Sequence, residues 1–247
     1  MITTLKNVLR PYKRKAAALY HKVVPKQPDG YRPSYSQEGE DMILARIFEN
    51  RKSGFFVDIG AFHPQCLSNT YYFYLQGWQG INLDAMPGSM AAFNQLRPKD
   101  INLEIPISDS KQVLTYYSFN LSNFNGFSKE LSAERDGITV GDGTEVKVVS
   151  ETELETSTLA EVLDQYLPNT QSIDFINVDV EGLDYQVLKS NDWQKYRPKV
   201  VLVEDLDITS INRNTSSAIA NFMYSQGYDL YAKTVYTLIF KQQDFKV

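Results

Sequence analysis

Four short apolar runs, each closing on an acidic residue, constrain this chain more than any other feature: FFVD (55–58), INLD (81–84), FINVD (175–179) and VVLVED (200–205). A strand that is apolar on both sides must be covered on both sides, so such runs belong inside a largely parallel sheet. Helical patterns alternate with them. The order predicts a helix over 38–50, a strand over 55–59, a helix over 67–77, a strand over 80–84, a helix over 88–96 and a strand over 101–107. Alternation of this kind gives an α/β fold with helices on both faces of the sheet. YDLYAKTVYTLIFKQ (228–242) predicts two closing strands joined by a tight connection, the last one or two of them antiparallel. With 247 residues, 43% of them hydrophobic, the chain can bury the core of one such domain.

Two segments depart from this pattern. Residues 112–157 read as an insertion in which VLTYYSF and TEVKVVS alternate like half-exposed strands around a stretch rich in Asn, Ser, Gly and Phe. A loop of that composition suits a polyhydroxylated ligand through stacking and hydrogen bonding; equally, FNGF (124–127) is compatible with a long β-hairpin that merely turns the chain. Residues 1–34 form a basic arm and linker ahead of a domain over 35–247. Seven of the 25 basic side chains lie in residues 1–26 with no acid among them, which leaves 18 basic against 30 acidic residues in the body. Apolar residues recur in the arm at helical spacing, which suits contact with an anionic membrane surface or a protein partner, or a solvated tail. The acidic body speaks against nucleic acid as a partner. Cys66 has no intramolecular partner, and neither a secretory signal nor an apolar run near 18 residues is found, so a cytoplasmic protein, in one reading peripheral to the membrane, is expected.

The acids at the strand ends suggest chemistry. In GFFVDIGAFHP (54–64) a strand ends in Asp58 and turns at Gly60, at the edge where open α/β sheets bind ligands. Asp84, at the tip of the next strand, is placed to accept hydrogen bonds from ribose hydroxyls. Only one glycine of the G-x-G-x-x-G pattern is present, which argues against a pyrophosphate-bearing dinucleotide and for a nucleoside cofactor without phosphates, such as S-adenosylmethionine.

IDFINVDVEGLDYQVLKS (173–190), together with YSQEGEDMIL, FFVDIGAFHP, SNTYYFYLQGWQGINLDA and TSTLAEVL in that order, resembles the FkbM family of S-adenosylmethionine-dependent methyltransferases. The resemblance runs over about residues 35–241 and leaves the arm and the insertion unexplained. It implies a Rossmann-like class I methyltransferase fold with a seven-stranded sheet, and methyl transfer to a hydroxyl, often on a sugar or a natural product. By position it implies that Asp58, Gly60, Ala61 and the loop to Asn69 meet the methionine part of the cofactor. Asp84 would meet the ribose, and Ser108 and Asp109 would flank the adenine. Many relatives carry Glu where this chain has Asp84.

Hydroxyls need help to become nucleophiles near neutral pH. Asp179, Glu204 and Asp205 are candidate ligands for Mg2+, in an arrangement that looks like the magnesium site of sugar O-methyltransferases related in fold; the alternative is that these acids cap helices and orient basic side chains. Without a metal, His63, Asp179 and Glu181 are the candidate general bases; the alternative for His63 is that HP (63–64) simply shapes the loop. Ser36 is expected to cap the helix that begins in SQEGED (36–41), a segment that resembles the family's entry helix and could close over the cofactor. The functional expectation is O-methyl transfer to a sugar or glycan. The alternatives are a natural-product O-methyltransferase and a catalytically inactive binding protein of a membrane glycan assembly complex.

Overall fold

A computed structural model describes residues 29–206 and 217–246. The arm over residues 1–26, with His21, and Asp207 after the VVLVED run lie outside the described residues. A compact unit begins at Ser34.

Seven strands form the main sheet: β1 (Phe55–Ile59), β2 (Gln79–Asp84), β3 (Ile101–Glu104), β6 (Phe175–Val178), β7 (Val200–Glu204), β8 (Tyr228–Lys233) and β9 (Thr237–Gln242). Their order is β3-β2-β1-β6-β7-β9-β8. Of the two closing strands only β9 runs against the sheet, because it is antiparallel both to β7 and to β8. The chain moves outward from β1 in one direction through β2 and β3 and in the other through β6 and β7. This leaves a crevice at the carboxyl ends of β1 and its two neighbours.

Period-two alternation sorts the apolar side chains onto two faces. Val57, Ile59, Ile176 and Val203 pack against Leu159 and Leu163 of α5 (Leu159–Tyr166), Leu188 of α6 (Asp184–Lys189) and Met223 of α7 (Ala218–Ser225). Phe56, Phe175 and Leu202 point the other way, onto Leu44 of α1 (Glu40–Ile47), Phe73 of α2 (Tyr71–Leu75) and Trp78. The sheet is therefore covered on both faces, as its continuously apolar runs require.

Three expected elements are shorter than their patterns. The helix expected over 67–77 is confined to Tyr71–Leu75: Leu67 takes a left-handed φ of 52°, and the Ser68 hydroxyl accepts from the Tyr71 N–H at 3.1 Å, starting the helix there. β3 stops at Glu104, two residues before Pro106, which has no N–H for a ladder. α1 starts after Gly39 rather than at a Ser36 cap. Ser36 Oγ instead accepts from the Gly39 and Asp41 N–H groups and donates to Asp41 Oδ1, while Glu40 and Asp41 are buried.

The insertion forms its own two-stranded antiparallel sheet, β4 (Val113–Phe119) with β5 (Val148–Glu155). It is more than a hairpin. Between the strands lie a 3-10 turn (Ser122–Phe124) and α4 (Lys129–Arg135), capped by Ser128 Oγ accepting from the Leu131 N–H. FNGF doubles back along β4, with Tyr117 and Gly126 exchanging both backbone hydrogen bonds. The remaining helix, α3 (Met90–Leu96), follows β2. Among the described residues no helix is long and apolar enough to cross a membrane.

Candidate active site

A cavity of about 420 Å3 opens at the carboxyl ends of β1, β2, β6 and β7, a size that suits one nucleoside-sized ligand and part of a second. Its wall begins where β1 ends. The N–H groups of Gly60 and Ala61 both donate to Leu83 O at 2.9 Å, which folds the loop across the tip of β2. The loop is held there by Asp84, whose Oδ2 accepts from the Phe62 N–H at 3.0 Å and whose Oδ1 accepts from the Met86 N–H at 2.7 Å. Burial pushes the Asp84 carboxyl up and these backbone bonds pull it back. A carboxylate has about four acceptor positions, so these two backbone bonds leave capacity for a ligand hydroxyl.

Asp58 is braced from behind. Its Oδ1 accepts from Asn177 Nδ2 at 2.9 Å and its Oδ2 from the Thr70 hydroxyl at 2.8 Å, and Thr70 Oγ1 in turn accepts from the buried Arg97 at 2.9 Å. Asn69 Nδ2 donates to Asn177 Oδ1 at 2.8 Å, which ties the cofactor-side loop to β6. Asp58, Gly60, Ala61, Asn69 and Asp84 all line the cavity.

At the other end three carboxylates converge. One oxygen each from Asp179, Glu181 and Glu204 lies within 4.8 Å of the others. Desolvation and mutual repulsion push Asp179 well above the usual carboxylate range, and Glu204, desolvated and facing Asp179 and Glu181, is pushed up to about 10. Desolvation also raises Glu181, against the opposing charge of Arg135, whose Nη2 lies 2.5 Å from Glu181 Oε2. Among the described residues Glu204 Oε2 is buried with no hydrogen-bond partner. The donor set is oxygen only, which fits a hard divalent cation such as Mg2+, and Glu204, one of its members, keeps an unpartnered buried oxygen among the described residues.

Backbone strain gathers in the same place. Of the four described non-glycine residues with left-handed φ, three line the cavity: Phe62 (49°), Leu67 (52°) and Glu181 (54°). Conformations of this kind persist where the surrounding structure over-determines them.

Four residues singled out from the sequence are not part of the cavity wall. His63 Nδ1 accepts from the N–H groups of Gln65 and Cys66 at 3.1 and 3.0 Å, so the imidazole shapes the loop and its lone pair is occupied. Ser108 is buried and accepts from Gln112 Nε2, and Asp109 pairs with Lys189 of α6 at 3.1 Å; Ile105, Pro106 and Ile107 form the wall at that point instead. Asp205 follows Glu204 immediately and its backbone N–H joins Tyr236 O at 2.8 Å. Successive residues of an extended chain face opposite ways, so the third carboxylate of the cluster is Glu181 and not Asp205.

The insertion supplies groups that strand-end reasoning does not reach. Tyr116, Asn125 and Arg135 all line the cavity. Burial and the Asp84 charge raise the Tyr116 phenol, and Asn125 Nδ2 donates to the Met86 sulfur at 3.4 Å, which sets the cap over the Asp84 end. From the other side, Glu38 Oε2 accepts from the Val235 and Tyr236 N–H groups, pinning the segment ahead of α1 to the β8–β9 connection.

Glu204→Gln is expected to stabilise the ligand-free protein above neutral pH. A carboxyl whose folded pKa is raised from 4.5 to about 10 contributes stability below 4.5 that is lost as the pH rises toward 10. The amide has no such loss, so the stability of the variant relative to wild type should rise steadily between pH 5 and 8.5, as thermal melts across that range would read. Parallel pH profiles for the two proteins would contradict the assignment of an unpaired buried carboxyl.

Comparison with known proteins places these features in a family context. The family described as "Methyltransferase FkbM domain" matches residues 58–230, from the end of β1 into β8. No curated protein matches the chain. A crystal structure from Pyrococcus horikoshii, described as that of a candidate RNA methyltransferase, shares 11% identity over 88% of this chain and 94% of its own, with a TM-score of 0.42. That likeness is too loose to build on.

Proposed function

The chain belongs to the FkbM methyltransferase family, and on that premise we propose that it transfers a methyl group from S-adenosylmethionine to a hydroxyl of a sugar or glycan. One observation carries this reading: a single cavity joins the Asp84 end, suited to a ribose, to a cluster of carboxylates beneath a cap rich in aromatic and amide side chains. Bound S-adenosylmethionine supplies an electrophilic methyl group on a sulfonium. Asp84 would orient the ribose hydroxyls, and Gly60, where a Cβ would meet the Asp179 carbonyl, lets the end of β1 close against the turn that carries the carboxylates. Phe124, Phe127 and Tyr236 offer faces for a sugar ring, with Asn123, Asn125 and Gln37 as hydrogen-bonding partners.

Asp179 and Glu181 are the groups placed to take the hydroxyl proton, and burial raises both above the ordinary carboxylate range, which makes each a stronger base when ionised. Asp179, Glu181 and Glu204 are the residues that would hold Mg2+, an ion that lowers the pKa of a bound hydroxyl. The acidic wall of the cavity disfavours a nucleic-acid acceptor by repelling phosphate. Within this reading the reaction runs in the cytoplasm, with the basic arm touching an anionic membrane surface or a protein partner.

The test is methyl transfer from methyl-labelled S-adenosylmethionine to a panel of free sugars, glycolipids, natural-product aglycones and RNA. O-methylated sugar or glycolipid is the expected product. Labelled aglycone or RNA alone would reassign the acceptor, and cofactor binding without any transfer would leave a binding protein.

A further inference from the structure

The insertion and the carboxylate cluster are locked together at one point. Arg135, in the last turn of α4, is the single cationic side chain on the cavity wall among the described residues. Its Nη2 meets Glu181 Oε2 at 2.5 Å, its Nη1 reaches Phe124 O at 3.3 Å, and its guanidinium lies 5.5 Å from the Phe124 ring centroid. Around this pair the two backbones touch. A Cβ on Gly126 would come within 3.0 Å of Glu181 O, and one on Gly182 within 3.2 Å of Ser128 Cβ. Glu181 itself holds a left-handed φ of 54°. The cap therefore rides on the turn that presents two of the three carboxylates.

Glu204, with 9% of its surface exposed, brings one carboxylate oxygen into the cluster and leaves its Oε2 without a hydrogen-bond partner among the described residues, so Arg135 alone does not satisfy this group of acids. We infer that Arg135 is an exchangeable counter-ion: a divalent cation bound by Asp179, Glu181 and Glu204 displaces its guanidinium from Glu181 and so loosens the insertion over the acceptor side of the cavity. A guanidinium bonded to a metal-ligating carboxylate lies a few ångströms from the ion, and like charges at that distance repel. The Arg135 side chain is 15% exposed, so it has a way out to solvent. Coupling is reciprocal: whatever releases the latch favours the cation, and the cation favours release. This device rests on the methyltransferase reading of the same cavity, for which it supplies an ordered entry, cation first and acceptor second.

Mn2+ binding to the metal-stripped full-length chain, followed by electron paramagnetic resonance, tests the exchange together with hydrogen–deuterium exchange of residues 120–136. Wild type should bind one Mn2+ with faster amide exchange in 120–136. Arg135→Gln should bind Mn2+ about tenfold more tightly, with exchange in that segment already raised before the ion is added. Arg135→Lys, which keeps the charge, should stay near wild type and controls for folding, and Glu204→Gln should lose the ion. Affinity that is unchanged or weaker in Arg135→Gln would overturn the exchange, since Arg135 would then orient Glu181 rather than compete for it. Failure of wild type to bind Mn2+ would overturn the cation site as well. S-adenosylhomocysteine titrated into the same samples separates the two levels: bound product with no Mn2+ removes only this inference, whereas neither ligand bound removes the methyltransferase reading beneath it.

Discussion

Gly60→Ala is expected to leave no cooperatively folded protein. Gly60 has a φ of 82°, and a Cβ there would lie 1.6 Å from the carbonyl oxygen of Asp179 and 2.6 Å from its carbonyl carbon. Both obstacles are backbone, so neither can swing away. Asp179 N–H is bonded to Ile59 O at 2.9 Å and Gly60 N–H to Leu83 O at 2.9 Å, so relief of the clash must part β1 from β6 or from β2 at the centre of the sheet. The left-handed conformation alone costs an alanine about 1–2 kcal/mol. Breaking the strand contact adds more, and the sum approaches the roughly 5–15 kcal/mol by which a domain is stable. Circular dichroism during heating should show no sharp transition for the variant, and a wild-type melt would contradict the close approach of Gly60 to Asp179.

Asp84→Ala is expected to weaken S-adenosylmethionine binding by about two orders of magnitude or more. The substitution removes the acceptor offered to the ribose and also frees the Phe62 and Met86 N–H groups that shape both sides of the pocket. Hydrogen bonds to a charged group contribute about 1.5–3 kcal/mol each, and about 1.4 kcal/mol is a factor of ten. Asp84→Asn keeps an acceptor but turns an N–H2 toward one of those donors, so an intermediate loss is expected. Equilibrium dialysis with labelled cofactor reads both variants, and an Asp84→Ala affinity equal to wild type would remove Asp84 from the cofactor site.

The parts of this molecule that follow from local pattern are those the sequence shows most openly. The runs ending at Asp58, Asp84, Asp179 and Glu204 form adjacent strands of one sheet, and the turn at Gly60 lies where strand, glycine and edge rules together put it. Strand parity, applied one residue further, separates Glu204 from Asp205. Glu181 is legible as a candidate base, but its place in the carboxylate cluster is not, because it depends on a left-handed turn at a residue that is not glycine. Between the two readings of His63 the sequence cannot choose, for a local reason: a histidine beside a ligand loop looks the same in sequence whether its ring faces the ligand or accepts the next two N–H groups. Ser108 and Asp109 lie past a proline that ends β3, and the sequence cannot show that Asp109 meets Lys189, 80 positions away. Tyr116, Asn125 and Arg135 reach the cavity through long-range packing of the insertion, where the aromatic and amide composition was the only signal.

Calorimetric titration of S-adenosylmethionine and of S-adenosylhomocysteine into the full-length chain tests the central claim most directly. One site for each ligand, lost or strongly weakened in Asp84→Ala, is the result the geometry of the cavity predicts. No heat of binding for either ligand, with or without Mg2+, would contradict the reading of this cavity as the seat of methyl transfer.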